Sequence, residues 1–127
     1  MTEAVSPAAR TWDLKGLVAW QVAMDFAAAV HEATAAFPND ERFGLRLQLR
    51  RAAVSVPSNI AEGHGRGAPM DFARFARIAR GSLKECETQI LLAQRFGYMT
   101  PAQAEPLLAS ANRINRLLTG LLHHLQK

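Results

Sequence analysis

Two rows of polar residues at helical spacing are candidates for chemistry in this chain. The members of each row are separated by three, four or seven residues, which places them on one flank of a helix. If the two helices are antiparallel neighbours, the rows face each other across the seam between them. The first row is Gln48, Ser55, Asn59 and Glu62, and the second is Ser82, Glu85 and Gln89.

The carboxylates in these rows have two interpretations. A metal site would use Glu62, Glu85 and His31, but di-metal helical bundles use Glu-x-x-His pairs, and neither glutamate has a histidine three positions later. The alternative is a hydrogen-bonded network, with Arg51 as counter-ion, that sets the register of the two helices. We therefore predict the network, and we expect no metal and no other cofactor.

The glycine-rich stretch EGHGRGAP, residues 62–69, resembles a phosphate-binding loop only in its glycine spacing. No strand precedes it and no G-K-[ST] follows, so it is neither a Walker loop nor a dinucleotide fingerprint. It is typical of a joint between two helices, in which Gly63 caps the first helix and the other glycines let the chain reverse. His64 and Arg66 would project from this joint and could contact phosphate.

Nucleophilic catalysis has little support in the sequence. The single cysteine, Cys86, lies on an apolar helical stripe, where a thiol is buried and inert. A lone cysteine also excludes a disulfide within the chain, which fits a reducing cytoplasm. His123 and His124 are adjacent and point in different directions on a helix. We therefore expect no enzymatic activity.

The basic residues are concentrated in the middle of the chain. Residues 42–84 contain nine Lys and Arg against two acids, whereas the remainder contains six against nine. A basic surface favours a polyanionic partner, RNA or DNA, although a solvated helix surface is the alternative. No aromatic stacking platform accompanies it, so we expect contacts to the nucleic-acid backbone or shape. The predicted contacts are Arg42, Arg46, Arg50, Arg66, Arg74, Arg77, Arg80 and Lys84.

The chain-level properties predict one small globular domain. At 127 residues the chain can bury a sufficient core without disulfides, and no apolar run approaches the roughly 20 residues of a membrane span. The N-terminal stretch MTEAVSPAARTWDLKG predicts neither a signal peptide nor a membrane anchor, so we expect a cytoplasmic location. Residues 1–13 are predicted to be a flexible tail, and 14–127 a single domain.

Apolar residues at three- and four-residue spacing predict four helices. They cover about residues 17–37, 40–61 and 69–96, and a segment from Thr100 to near the C-terminus. Short connections between them predict an all-α fold, an up-down-up-down antiparallel four-helix bundle.

Several residue types mark the predicted helix ends. Asn39 or Asp40 is expected to cap the second helix, and Pro57 to kink or shorten it. Pro69 fits the first position of the third helix, and Gly97 its C-terminal end. Thr100 is followed three positions later by Gln103, the pattern of a capping box.

The first predicted helix is apolar on nearly all sides, which indicates burial on more than one side. Because a small monomeric bundle cannot cover both faces, we interpret the second face as a subunit interface. The predicted interface residues are Leu17, Trp20, Met24, Leu47 and Leu117.

The segments FPNDERFGLRLQLRRAAVSVPSNIAEGHGR and FARFARIARGSLKECETQILLAQRFGY closely resemble the four-helix-bundle family of 23S rRNA-intervening sequence proteins. The N-terminal DLKGLVAWQVAMDF also fits this family, and the resemblance covers about residues 13–125. The family is in turn similar to the accessory variability protein of diversity-generating retroelements, a pentameric bundle that associates with a reverse transcriptase and binds nucleic acid. The resemblance implies a homopentamer without enzymatic activity, and a reverse transcriptase as one candidate partner.

Two functions follow from these observations. The first is a non-enzymatic, homo-oligomeric bundle that binds nucleic acid through a basic face. The second is a protein-interaction scaffold whose charges serve only solubility.

Overall fold

The computed structural model describes Leu14 and residues 17–126. It contains four helices, α1 (Val18–Thr34), α2 (Leu45–Gly65), α3 (Pro69–Arg95) and α4 (Pro101–Leu125), and a 3₁₀ turn over Asn39–Glu41. No strand occurs among the described residues, so the all-α prediction is confirmed. None of the described helices is long and apolar enough to cross a membrane. The tail predicted over residues 1–13 lies outside the described part.

Cross-helix contacts between α2 and α3 show that these helices run in opposite directions. Gly63, near the end of α2, lies against Phe72 in the first turns of α3. Ser55 and Ser82 meet further along, with their Oγ atoms 2.8 Å apart. Residues later in α2 therefore contact residues earlier in α3, so the two helices are antiparallel.

The other helices follow the same rule. Trp20, early in α1, and Ala61, late in α2, line one groove. The start of α4 lies beside the end of α1, since Gln103 and Glu32 share a groove. The end of α4 brings Leu125 next to Gly63. These pairings fit the predicted up-down-up-down order.

One continuous apolar core fills the space between the helices. Each helix contributes residues at three- and four-residue spacing, as the sequence predicted. The largest fully buried apolar side chains are Phe26, Val30, Leu49, Val56, Ile60, Leu83, Cys86, Ile90, Ile114 and Leu118.

The helix-end signals of α3 and α4 are confirmed. Pro69 occupies the first turn of α3. At its other end Gly97 adopts φ +79°, and the N–H groups of Gly97 and Tyr98 donate to the carbonyls of Gln94 and Ala93. This is the Schellman pattern that ends helices at a glycine. Thr100 and Gln103 form the reciprocal capping box at the start of α4.

The predicted ends of α1 and α2 need correction. The first helix stops at Thr34, three residues earlier than predicted, although Phe37 is still buried and packs against the ring of Tyr98 at 5.5 Å between centroids. The second begins at Leu45, not near position 40, because residues 39–41 form a 3₁₀ turn. Pro57 does not shorten α2, which continues to Gly65.

The cap of α2 comes from Glu41, one turn before the helix. Its Oε1 accepts a hydrogen bond from the Leu45 N–H at 3.0 Å, and its Oε2 accepts one from the Tyr98 hydroxyl at 2.8 Å. The Leu45 N–H stabilises the charged carboxylate most, and the Tyr98 hydroxyl stabilises it as well. The pKa of Glu41 therefore lies below its ordinary value of 4.5. The carboxylate thus ties the start of α2 to the loop after α3.

Substitution Glu41→Gln is expected to lower the melting temperature by a few degrees at pH 7. A carboxyl group with a depressed folded-state pKa stabilises the fold above its unfolded-state pKa, and this contribution disappears as the pH falls through the folded-state value. The difference between variant and wild type should therefore shrink below about pH 4. Thermal melts from pH 7 to pH 3 measure this difference. Glu105→Gln, at an exposed position of α4, is the control and should show no such convergence.

Candidate nucleic-acid interface

Two arginines converge on one aromatic ring at the joint between α2 and α3. The guanidinium carbon Cζ of Arg66 lies 5.0 Å from the ring centroid of Phe75, and that of Arg74 lies 4.6 Å from it. Arg66 also pairs with Glu62, with Nη2 and Oε1 3.2 Å apart. Cation–π contact holds both charges at one place on an exposed surface. We call Arg66, Arg74 and the Phe75 ring the joint cluster.

The joint cluster depends on a close approach of α2 to α3. A Cβ atom added to Gly63 would lie 2.8 Å from the Phe75 Cβ and 3.0 Å from a ring carbon of Phe72. Gly63 is therefore not the helix cap that the sequence predicted, but a buried residue inside α2 that permits this contact. The chain reverses at Gly67, which has φ +78°.

His64 lies at the same joint without projecting freely. Its ring packs edge-on against Phe72, with 5.9 Å between centroids. Together with Gly67, Pro69 and Leu125, these two residues line an apolar cavity of about 250 Å³ at the end of the bundle. His64 is therefore a packing residue of the joint.

Three further predicted residues lie on α3 beyond the joint cluster. Arg80 precedes Ser82 by two positions, which is about 200° around a helix, so it lies on the side away from α2. Exposed Arg77 lies on that flank one turn before Arg80, whereas exposed Lys84, one turn after it, also lines a groove with Gln48 of α2. Lys84 pairs with Glu87, with its Nζ 3.2 Å from Oε2.

The remaining predicted arginines lie near the start of α2, far from the joint. Arg50 is half-buried, and its Nε donates to the Thr34 hydroxyl and its Nη2 to the His31 carbonyl, each at 2.8 Å. It therefore caps the C-terminal end of α1. Arg46 is half-buried one turn earlier on the same flank, and exposed Arg42 lies over the Phe43 ring at 4.7 Å. The eight predicted contacts thus occupy several flanks, not one continuous face.

Substitution Arg50→Ala is expected to lower the free energy of unfolding by about 1–3 kcal/mol, because two hydrogen bonds to a charged donor are lost. One of them reaches Thr34, which is fully buried. Arg51→Ala is the matched control and should change stability by less than about 0.5 kcal/mol, since its exposed side chain makes no such contact with the described residues. Urea denaturation measures both. Equal stability of the two variants would contradict the capping role.

The two polar rows face each other across the α2–α3 seam, as predicted. The Asn59 Nδ2 group donates to the Ser55 hydroxyl and carbonyl oxygens at 2.8 Å, and the Ser55 and Ser82 hydroxyls hydrogen-bond at 2.8 Å. This trio links α2 to α3 and favours one register between them.

Beyond Ser82 the seam opens into a polar groove of about 330 Å³. Arg51 and Glu85, on its two walls, have no ion-pair partner among the described residues. The predicted ion pairing of Arg51 within the polar network therefore does not occur among the described residues. Gln89 Oε1 is buried in the groove without a hydrogen-bond partner. The groove is lined by Gln48, Arg51, Ala52, Ser55, Ser82, Glu85 and Gln89.

The metal alternative has no support in the described residues. No group of three or more His, Cys, Asp and Glu side chains converges there. Glu62 is engaged with Arg66 at the joint. Cys86 is fully buried on the core stripe, and desolvation, aided by the charge of Glu85, raises the pKa of its thiol to about 12.

The contacts predicted from charge did not include Arg51, which lines the polar groove. The available signal was its spacing, since it falls three positions after Gln48 and four before Ser55, on the flank that faces α3.

The predicted interface residues lie at different depths. Leu17, Trp20 and Leu117 are partly buried against the core, and Leu47 is half-buried, whereas Met24 is 46% exposed. An apolar groove of about 500 Å³ runs between α1 and α2 beside Trp20 and Met24, and Val54 and Pro57 form its other wall.

Comparison with known proteins identifies the family. The family model described as 23S rRNA-intervening sequence protein matches residues 15–120. The chain belongs to this family. A solved structure described as a protein with unknown function from the S23 ribosomal protein family, from Bacteroides thetaiotaomicron VPI-5482, is similar with a TM-score of 0.76 and 25% sequence identity. The similarity covers 84% of this chain and 96% of that one. Comparison with the curated proteins gave no match.

Proposed function

We propose that this protein is a non-enzymatic, homo-oligomeric helical bundle that binds the backbone of RNA or DNA. The observation that carries the proposal is the joint cluster, where two guanidinium groups are held over one ring at 5.0 and 4.6 Å. Guanidinium groups match phosphate geometry, and groups positioned in advance lose less side-chain entropy on binding. Exposed Arg77 and Lys84 on the neighbouring flank add to the positive field.

Membership of the 23S rRNA-intervening sequence protein family supports RNA as the first probe. The resemblance to the accessory protein of diversity-generating retroelements, stated in the sequence analysis, makes a reverse transcriptase a second candidate partner. Neither source implies recognition of a particular sequence, since phosphate contacts position a nucleic acid without reading it.

Fluorescence anisotropy with a structured RNA and a duplex DNA tests the proposal. Binding should weaken steeply between about 50 and 200 mM salt, because each neutralised phosphate contributes a slope of about −0.9 to the logarithmic plot for duplex DNA. The number of phosphates that the arginines neutralise then follows from the slope. Absence of binding to either probe at the lower salt concentration would overturn the proposal.

The apolar groove between α1 and α2 is the proposed subunit contact, and the resemblance stated above suggests five subunits. Trp20→Ala combined with Met24→Ala should reduce the mass measured by light scattering to that of smaller species. It should also weaken nucleic-acid binding, because fewer joint clusters then act together. A second double variant, with alanine at exposed Val18 and Leu91 and with Trp20 and Met24 unchanged, is the control. If only the control dissociates, the contact lies elsewhere.

The scaffold function is favoured instead by one specific observation, the exposure of Met24 and Val54 along the α1–α2 groove. It predicts that protein partners bind while nucleic acid does not, so the anisotropy experiment separates the two functions.

A further inference from the structure

The apolar cavity at the end of the bundle has no role in the backbone contacts proposed above. Its volume is about 250 Å³, and the joint between α2 and α3 forms its rim. Ala68 and Pro69 on this rim are exposed, whereas Phe72 is only 5% exposed and forms a buried wall. The cavity is therefore open to solvent at the joint and closed towards the core. We call it the end pocket.

Two rings give the end pocket a shape that suits a flat ligand. The rings of His64 and Phe72 lie 5.9 Å apart between centroids, with 88° between their planes. Such a corner presents the face of one ring and the edge of the other, the two arrangements in which aromatic rings prefer to pack. An apolar cavity of about 150 Å³ is large enough to bind benzene. The end pocket therefore has room for a flat aromatic ring system.

The joint cluster places positive charge beside the end pocket. A Cβ atom added to Gly63 would lie 3.0 Å from a ring carbon of Phe72 and 2.8 Å from the Phe75 Cβ, so both phenylalanines pack against the same glycine. Phe72 precedes Phe75 by three positions, or about 5 Å along α3. The guanidinium groups of Arg66 and Arg74 are held over Phe75. Two cations thus lie over a ring that is one helical turn from the pocket.

We propose that the end pocket receives one unpaired base of a nucleic acid whose phosphates bind the joint cluster. The inference rests on the proposed function and adds a contact to the base. A nucleotide joins a flat aromatic ring to an anionic group, the two features that the pocket and the cluster match. Unpaired bases of RNA commonly stack on phenylalanine and histidine rings. Because every base has such a face, the contact should tolerate any sequence.

The test compares two single strands that carry the same number of phosphates. One is a short oligouridylate, and the other is a strand of equal length that is abasic at every position. Anisotropy over a salt series should show about tenfold or more tighter binding of the oligouridylate, the contribution expected of base–aromatic stacking. The salt slopes of the two strands should be similar, because the slope depends on the phosphates neutralised.

Variants connect this difference to the end pocket. Ala68 has an extended backbone, with φ −116° and ψ 135°, and is exposed, so Ala68→Leu should narrow the pocket without strain. It should remove most of the preference for the oligouridylate and leave the affinity for the abasic strand unchanged. His64→Ala removes one ring of the corner and should also reduce the preference. Ala102→Leu, at an exposed position in the first turn of α4 at the opposite end of the bundle, is the control and should alter neither affinity.

The possible outcomes separate this inference from the proposed function. Equal affinity for the two strands, with a steep salt dependence, would overturn the inference while backbone binding stands. A preference for the oligouridylate that survives both pocket variants would also overturn it, by placing the base elsewhere. A change in oligomer mass on Ala68→Leu would overturn it by assigning the pocket to a contact between subunits. No binding of either strand, of structured RNA or of duplex DNA would overturn both.

Discussion

Replacement of Arg66 and Arg74 together by glutamate should lower the affinity for nucleic acid about 100-fold at moderate salt. Each guanidinium held over Phe75 is expected to contact one phosphate, and a hydrogen bond to a charged group contributes about 1.5–3 kcal/mol, or about tenfold or more. Loss of two contacts should also reduce the logarithmic salt slope by about two. Anisotropy across a salt series measures both quantities with one probe.

The matched control reverses two charges at the opposite end of the bundle. Arg42 and Arg95 are exposed near the start of α2 and the end of α3, and Arg42→Glu with Arg95→Glu gives the same change in net charge. If the joint cluster is the binding site, this variant should lose far less affinity and keep most of the salt slope. An equal loss in both variants would mean that binding follows the net charge of the protein and not the joint cluster.

Substitution Gly63→Ala should lower the free energy of unfolding by about 1–3 kcal/mol, the usual cost of overfilling a packed site. The new methyl group would lie 2.8 Å from the Phe75 Cβ and 3.3 Å from the Phe72 Cα, atoms close to the backbone that cannot rotate away. The helices must therefore separate at this point. That cost should exceed the gain of about 1 kcal/mol that alanine offers over glycine inside a helix.

Gly81→Ala is the matched control for this prediction. Gly81 lies in the middle of α3 with nothing within 4 Å of an added Cβ, so alanine should raise stability by about 0.5–1 kcal/mol. Urea denaturation of both variants should thus give changes of opposite sign. If Gly63→Ala were as stable as Gly81→Ala, the close contact between α2 and α3 would be wrong. Loss of nucleic-acid affinity by Gly63→Ala is a further expectation, because Phe75 also supports the joint cluster.

The features that were correctly predicted depend on residues close together in the chain. The capping box of Thr100 and Gln103 involves one helical turn, and Gly97 ends α3 through contacts within five residues. The apolar stripe of α3 depends on helical periodicity alone. Interactions of this range are set by residue type and spacing, so the four helices and their order were readable from the sequence.

Two of the features that were missed depend on residues far apart. Glu41 caps α2 and is itself held by Tyr98, which is 57 positions away. Arg50 was assigned to the basic surface on charge, but its acceptors lie on α1, 16 and 19 positions earlier. A charged side chain near a helix end has several possible partners, and only the packing of the helices selects one.

The same distinction applies to the candidate site. Helical spacing placed Ser55 and Ser82 in facing rows, and amino-acid composition alone revealed an excess of basic residues between 42 and 84. The gathering of Arg66 and Arg74 on one ring, and the open groove beside Gln89, depend on how closely α2 approaches α3. At the joint that distance is decided by Gly63, whose missing side chain acts only against residues of another helix. Local spacing therefore determines which flank of a helix a residue occupies, whereas tertiary packing determines which side chains stay free to bind a ligand.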